Sequence, residues 1–353
     1  MRMKMVEVSK KILWINYIRA ISILFVFFVH SEAFYDFNCG VNAFIHPFYV
    51  NAFFFVSGYL LYRKQLSSQL LNHTMCSYVK TDGKKMLANV FWRLMIPSLL
   101  FSVIEFFPSY MLRGKEYDVG IFLYKTIGGC TYWFTAALAV ADVLIFIMLI
   151  TRKTNIWFYF SVSLIVYGVG YFIVSNDYSL LEAYPSFPWQ YKQGMYAIIF
   201  MAFGGVYWKY EYVINKFMDK KPCILLLVGV YVTGLVVYPS FFHVLVSTLN
   251  LNILGIMLSV ISILILIRIC KLIPYVHLWN YIGKNTIGFY FMSGALPIVV
   301  SIIVKKFYPS PSIAGLLVVF LLSMFIAFCA VFLMNRYASW LFDLRVLWKK
   351  EKQ

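Results

Sequence analysis

Charged side chains are scarce in this chain of 353 residues, since Asp, Glu, Lys and Arg together make up only 13% of it. Soluble domains average about 25% charged residues, so the shortage argues against a soluble globular protein. Hydrophobic residues account for 62% of the chain. The sequence therefore predicts an all-α integral membrane protein that is embedded in the bilayer over most of its length, with no extra soluble domain.

Acidic residues are the scarcer of the two charges, because 14 Asp and Glu face 31 Lys and Arg and leave a net charge of +17. Such an excess can indicate a nucleic-acid partner. Here the basic residues collect in short segments between apolar runs, where they report membrane topology instead. We therefore predict the lipid bilayer, and no nucleic acid, as a partner.

The six cysteines lack the spacing of a disulfide framework or a zinc site. We expect no metal and no bound cofactor. The sequence also lacks heptads, Gly/Ser linkers, low-complexity tracts and any convincing internal repeat. The missing repeat weighs against a transporter built from duplicated halves. The cysteines are Cys39, Cys76, Cys130, Cys223, Cys270 and Cys329.

Apolar runs long enough to cross a bilayer follow one another along the chain, since a span needs about 20 mainly apolar residues. We predict a polytopic bundle of ten transmembrane helices within a single domain, 1–353. The sixth and seventh helices are short, so counts of nine and eleven stay open. The predicted helices cover 12–31, 43–62, 86–107, 130–151, 156–174, 194–209, 222–238, 242–267, 282–304 and 312–335.

The start of the chain also resembles a secretory signal peptide, with basic residues, an apolar run and a small-x-small pattern at 31–33. The run is long for a signal peptide and contains Arg19, so we predict a retained helix.

Lysine and arginine divide unevenly between the two sets of loops. The segments that the ten-helix layout places inside hold 22 of them, and those placed outside hold six. The remaining three, Arg19, Arg93 and Lys284, fall within predicted spans. The positive-inside rule then puts both termini in the cytoplasm.

The first predicted helix carries Arg19 and, eleven residues later, His30. Eleven residues make about three helical turns, so the two side chains share one face and lie roughly 16 Å apart along the axis. Charged groups in membrane helices usually face a bundle interior or a water-filled cavity. The alternative is that Arg19 snorkels to one membrane surface while His30 lies at the other.

Other polar residues within the spans include Arg93, Lys284 and Asp142. Together with Arg19, the two cations place three positive charges in or near the inner half, where a phosphate-rich ligand from the cytoplasm would suit them. Snorkelling to the inner headgroups is the alternative for each. Asp142, near mid-span, needs either a cation partner or a proton. His30 could act as a general base on a hydroxyl group.

Five segments in order resemble the membrane-bound acyltransferase-3 family, the bacterial O-acyltransferases of surface polysaccharides. The resemblance covers nearly the whole chain and is closest to fucose 4-O-acetylase and related sugar acetylases. One departure is Ser293, which stands where many members have a histidine in the ninth helix. The segments are Arg19-x10-His30, FFFVSGYLL (53–61), WRLMIPSLL (92–100), YWFTAAL (132–138) and IGKNTIGFYF (282–291).

The resemblance implies an enzyme of the bacterial inner membrane that transfers an acyl group, usually acetyl, from cytoplasmic acyl-CoA to a sugar hydroxyl at the outer face. His30 would be the catalytic histidine, and Arg19 would orient the reaction or bind the donor. Arg93 and Lys284 would also bind acyl-CoA. Possible supporting residues are Asn51, Ser57, Trp133, Asp142 and Ser293.

A second hypothesis is a transporter or flippase of lipid-linked sugars, which would also need polar groups within the bilayer. It does not require the Arg-x10-His spacing. The sequence leaves open the acyl group, the acceptor (a glycan or a lipid-linked sugar), the choice between general base and acyl carrier for His30, and the oligomeric state.

Overall fold

The computed structural model describes residues 2–66, 75–112, 114, 117–151, 153, 155–176, 188–237 and 253–350. Within these ranges the regular structure is helical and no strand occurs, which confirms the predicted all-α class. The helices, numbered in chain order, are α1 (Arg2–Tyr35), α2 (Val41–Ile45), α3 (Asn51–Gln65), α4 (Met75–Tyr78), α5 (Lys84–Val90), α6 (Ile96–Leu112), α7 (Val119–Lys125), α8 (Trp133–Leu149), α9 (Ile156–Ser175), α10 (Tyr191–Met218), α11 (Lys221–Val237), α12 (Ile253–Leu272), α13 (His277–Lys284), α14 (Thr286–Met292), α15 (Ala295–Phe307), α16 (Ile313–Tyr337) and α17 (Arg345–Lys350).

Several of these helices are long and apolar enough to cross a membrane. Two more, α14 and α15, would form one further span that is bent by 46°. Helices α8 and α11 are apolar but shorter. The chain is therefore a multi-pass membrane protein, while the predicted ten spans and the predicted orientation stay predictions. Among the described residues the five candidate spans are Leu13–Tyr35, Met75–Met111, Ile156–Ile173, Ile253–Leu272 and Ile313–Tyr337. The span Met75–Met111 joins α4, α5 and α6 through the π-helical stretches Val79–Gly83 and Phe91–Met95.

The chain forms two compact units, each made of two stretches of sequence. The first unit contains Met1–Phe53 and Tyr210–Asn335, and the second contains Phe54–Lys209 and Arg336–Gln353. The boundaries fall inside α3, α10 and α16, and the one in α10 coincides with a non-helical residue, Tyr210.

Helix α1 is the central element of the first unit, where it packs against α12 and against α13, α14 and α15. We call residues 277–307, which contain α13 to α15, the broken segment. A Cβ atom at Gly283 would overlap the carbonyl group of Asn16, so glycine lets the two backbones approach closely, as small residues do in membrane bundles. At the other end of α1, Tyr35 is buried among Val300, Val304, Leu316 and Val319.

Ion pairs in the first unit join loops that the distribution of Lys and Arg assigns to the same membrane face. Lys305 Nζ lies 2.6 Å from Asp36 Oδ2, and both residues follow spans predicted to end outside. Lys271 Nζ lies 3.1 Å from Glu211 Oε1, and both belong to segments predicted inside. Each ion pair thus joins two segments that the prediction places on one face, and the orientation of the chain stays a prediction.

Two glycines set the packing of α3 against α10 in the second unit. A Cβ atom at Gly58 would overlap the backbone of Met201, and one at Gly204 would overlap the backbone of Phe55. Glycine at both positions allows this close crossing. The Ser-Gly pair in the FFFVSGYLL motif therefore includes a packing residue.

Two predicted helices are interrupted in the structure. The prediction 43–62 corresponds to α2 and α3, which are separated around Pro47. Proline has no N–H to donate to the carbonyl group four residues earlier, so a helix is easily broken there. The prediction 282–304 corresponds to the broken segment, which is interrupted at Asn285 and again at Ser293–Gly294.

The first predicted helix, 12–31, is also longer in the structure, since α1 continues to Tyr35. It ends where Asp36 adopts a positive φ of 59°, a conformation that Asp tolerates better than most residues. The prediction 242–267 begins outside the described residues, and α12 there spans Ile253–Leu272.

Candidate functional site

One face of α1 is directed at the broken segment along its length. Asn16 Nδ2 donates a hydrogen bond to Asn280 Oδ1 at 2.7 Å, and His30 Nδ1 lies 2.6 Å from the carbonyl oxygen of Ser293. Asn16, Arg19 and His30 share this face because they are separated by 3 and 11 residues on a helix of 3.6 residues per turn. The predicted Arg19–His30 face therefore packs on protein.

The carbonyl group that His30 contacts lies at a break with an identifiable cause. In a continuous α-helix, the carbonyl group of Ser293 would accept a hydrogen bond from the N–H of residue 297. Residue 297 is a buried proline, which has no N–H and whose ring clashes with the carbonyl group four residues before it. The sequence thus leaves this carbonyl without its usual helical donor, and the imidazole of His30 supplies one.

This contact determines which nitrogen of His30 carries the proton. A carbonyl oxygen can only accept a hydrogen bond, so Nδ1 must be the donor at 2.6 Å. In a neutral imidazole, Nε2 is then the nitrogen that can accept a proton. The arrangement resembles the carboxylate that fixes the tautomer of a catalytic histidine in hydrolases, with a backbone carbonyl in the carboxylate's place.

Arg19 is half-buried on this face of α1. Its guanidinium group makes no hydrogen bond or ion pair with any residue in the part of the chain that the structure describes. An arginine within a membrane helix is costly and usually has a partner. Among the described residues of the first unit, the structure thus leaves the guanidinium group of Arg19 without an anionic partner.

The other predicted residues of the first unit have distinct surroundings. Lys284 is exposed at the end of α13. Asn51 is buried, and its Nδ2 donates to Pro47 O at 2.9 Å and to Ser259 Oγ at 3.2 Å. The Ser293 hydroxyl donates to Tyr290 O at 2.8 Å. It is therefore the backbone of Ser293, and not its side chain, that contacts His30.

Four predicted residues, Arg93, Ser57, Trp133 and Asp142, belong to the second unit. Ser57 and Asp142 are half-buried. Asp142 has no hydrogen bond or ion pair with a described residue, so the structure supplies no cation partner for it there. Trp133 begins α8, and its ring lies edge-on to that of Phe134 with centroids 6.3 Å apart.

Arg93 has a partner that the sequence did not indicate. Its Nε lies 3.4 Å from Asp343 Oδ2, and its side chain is 63% exposed, so Arg93 is not buried inside the unit. Arg345 donates to both carboxylate oxygens of Asp343, at 2.8 and 2.7 Å, and to Asn89 Oδ1 at 3.0 Å. The hydrogen bonds from Arg345 hold the pKa of Asp343 below its ordinary value.

Two residues that matter to the first unit were not singled out from the sequence. Pro297 has a clear signal, since a proline within an apolar run frees the carbonyl group four residues earlier. Glu32 has none. Its Oε1 accepts hydrogen bonds from the N–H and the thiol of Cys39, both at 3.0 Å, and so ties the following loop to the end of α1.

These features define a class of protein. The chain is a multi-pass helical membrane protein whose first helix carries an arginine without a partner among the described residues and a histidine held in one tautomer. No group of three or more His, Cys, Asp or Glu that could hold a metal occurs within the described ranges.

Comparison with protein families identifies the family. Residues 12–336 match the family model described as an acyltransferase domain. Because this match covers most of the chain, the protein belongs to the acyltransferase-3 family, and it is a membrane acyltransferase. The alternative of a transporter is thereby set aside. Comparisons with curated proteins and with solved structures give no significant match.

Proposed function

We propose that this protein is an O-acyltransferase of the bacterial inner membrane, which moves an acyl group from cytoplasmic acyl-CoA to a hydroxyl group of a surface glycan or lipid-linked sugar. Acetyl is the proposed acyl group. The observation that carries the proposal is the hydrogen bond from His30 Nδ1 to Ser293 O, because it leaves Nε2 to act on the acceptor hydroxyl.

The proposed reaction uses His30 first as a base and then as an acid. Nε2 removes the proton from the sugar hydroxyl as its oxygen attacks the thioester carbonyl carbon. The imidazolium that forms keeps its Nδ1–H directed at the carbonyl oxygen of Ser293, which favours the added positive charge. When the tetrahedral intermediate breaks its C–S bond, the proton on Nε2 passes to the thiolate, and the products are the sugar ester and free CoA.

A variant of this mechanism gives His30 a covalent role. Nε2 would attack the thioester itself and carry the acyl group before the sugar hydroxyl accepts it. The same Nδ1 contact suits both routes, since each needs a neutral imidazole with its lone pair on Nε2.

The donor is proposed to interact with the predicted cations. CoA carries several phosphate charges, and Arg binds phosphate through paired charge-assisted hydrogen bonds. Arg19 is the strongest candidate because it lies on the same face as His30 and has no described partner. Lys284 is the second candidate in the first unit, and Arg93 in the second unit stays a predicted donor-binding residue.

Acetyl transfer by the purified full-length protein in lipid nanodiscs tests the proposal. Radiolabelled acetyl-CoA and a panel of free and lipid-linked sugars, including fucosides, should yield base-labile sugar esters. His30→Ala should lower the rate by about 10²–10⁴-fold, the usual contribution of general acid–base catalysis, without loss of inserted protein. His277→Ala is the matched control, because His277 is an exposed histidine of the same unit, and it should retain activity within about twofold.

Transfer by His30→Ala at the wild-type rate would disprove the proposed role of His30. Incubation of the wild-type protein with labelled acetyl-CoA and no sugar separates the two routes. Label that stays on the denatured wild-type protein and is absent from His30→Ala indicates that His30 carries the acyl group. If the protein transfers acetyl to a sugar but retains no such label, His30 acts as a general base.

A further inference from the structure

The break between α14 and α15 has a consequence for the chemistry of His30. Pro297 cannot donate to Ser293 O, and a proline ring clashes with the carbonyl group four residues before it in a continuous helix. The two helices are bent by 46° at this point. The carbonyl oxygen of Ser293 lies 2.6 Å from His30 Nδ1.

We propose that Pro297 is a positioning residue for the reaction: by freeing the carbonyl group of Ser293, it fixes His30 in the tautomer with the proton on Nδ1. The inference rests on the proposed role of His30 as base or acyl carrier. Pro297 acts only through this backbone carbonyl, and it touches neither the donor nor the acceptor.

Among the described residues, the two serine hydroxyl groups beside the break do not supply another partner for the His30 ring. The Ser293 hydroxyl donates to Tyr290 O at 2.8 Å, and Ser31, the neighbour of His30, donates its hydroxyl to Phe27 O at 2.8 Å. Both hydroxyl groups are thus bonded to their own helices. Among the described residues, the hydrogen-bond partner of the His30 ring is the carbonyl oxygen of Ser293. This is the carbonyl group that Pro297 leaves without a helical donor.

Pro297→Ala is the change that tests this inference. Alanine restores an N–H at position 297 and removes the ring, so α14 and α15 can join into a straighter helix whose own N–H occupies Ser293 O. The turnover number kcat should then fall about tenfold to a hundredfold, the scale of a misplaced catalytic group, while the KM for acetyl-CoA stays within twofold. Pro311→Ala, in the exposed loop before α16, is the matched control and should change neither quantity.

The tautomer itself provides a readout that does not depend on acyl transfer. Protein labelled with 15N-histidine should show a neutral His30 protonated on Nδ1, identified as the signal that disappears in His30→Gln. In Pro297→Ala the proportion protonated on Nε2 should rise. A wild-type His30 protonated on Nε2 would overturn the inference without any variant at position 297.

The two measurements together separate the possible outcomes. A lower kcat with an unchanged tautomer would mean that Pro297 has a purely structural role, and unchanged kcat and tautomer would refute the inference outright. If no sugar tested accepts acetyl from the wild-type protein, the proposed function fails, whereas the tautomer measurement still decides the role of Pro297.

Discussion

Helix α1 and the broken segment lie side by side in the first unit, but they differ in continuity. Helix α1 runs without interruption from Arg2 to Tyr35, whereas residues 277–307 form three helices. A continuous helix uses its backbone groups internally and can offer a partner only side chains, here Arg19 and His30. A broken helix also offers backbone groups, here the carbonyl group of Ser293. The candidate site combines one contribution of each kind.

After that of His30→Ala, the largest expected effect again tests a side chain that α1 contributes. Arg19→Gln should lower kcat/KM for acetyl-CoA by about tenfold to a hundredfold, the loss expected for one or two charge-assisted hydrogen bonds. The substitution should not impair membrane insertion or stability. It removes a charge that is costly within an apolar helix and that has no partner among the described residues. Steady-state kinetics and thermal unfolding in nanodiscs provide the two measurements.

Lys306→Gln is the control for Arg19→Gln, because it also removes one positive charge from the first unit but at an exposed position. It should leave kcat/KM unchanged. If both substitutions lowered kcat/KM equally, the loss would come from the change in net charge. If Arg19→Gln left kcat/KM unchanged, the result would support the alternative that Arg19 snorkels to a membrane surface. Arg19→Lys should restore activity only in part, since lysine cannot form the paired contact of a guanidinium group.

Much of α1 could be predicted from the sequence, because helical periodicity alone aligns Arg19 with His30. The interruptions of the broken segment were harder to predict. Hydropathy identifies 282–304 as one apolar run, yet a helix ends or bends according to its backbone partners. Asn285, whose Nδ2 donates to Tyr281 O at 2.9 Å, competes for backbone groups as asparagine often does. Gly294 and Pro297 were visible signals of the second break.

Other features of the site depend on contacts between residues far apart in sequence. Nothing near Arg93 indicates that it shares Asp343 with Arg345, since the three meet only after the chain folds. The same applies to Ser293. The resemblance to the family directed attention to its side chain, whereas in the structure its backbone carbonyl group makes the contact with His30.

A smaller effect is expected at the contact between α1 and the broken segment. Gly283→Ala places a Cβ atom against the carbonyl group of Asn16, so α1 and α13 must move apart, at a cost of about 1–3 kcal/mol, the usual range for overpacking. The thermal midpoint should fall, measured in nanodiscs. Gly229→Ala is the control, because no atom lies within 4 Å of a Cβ atom there. Equal midpoints for the two variants would contradict the close approach of these helices.

The smallest expected effect distinguishes the backbone of Ser293 from its side chain. Ser293→Ala removes the hydroxyl, which bonds to Tyr290 O within its own helix, and keeps the carbonyl group that accepts from His30. The hydrogen bond of such a hydroxyl group contributes only about 0.5–1.5 kcal/mol to stability. This hydrogen bond does not involve His30. We therefore expect kcat to stay within about threefold of the wild type, because the carbonyl group lacks its helical donor owing to Pro297 and not to the serine hydroxyl. A loss as large as that of Pro297→Ala would mean that the hydroxyl group of Ser293 takes part in the reaction itself.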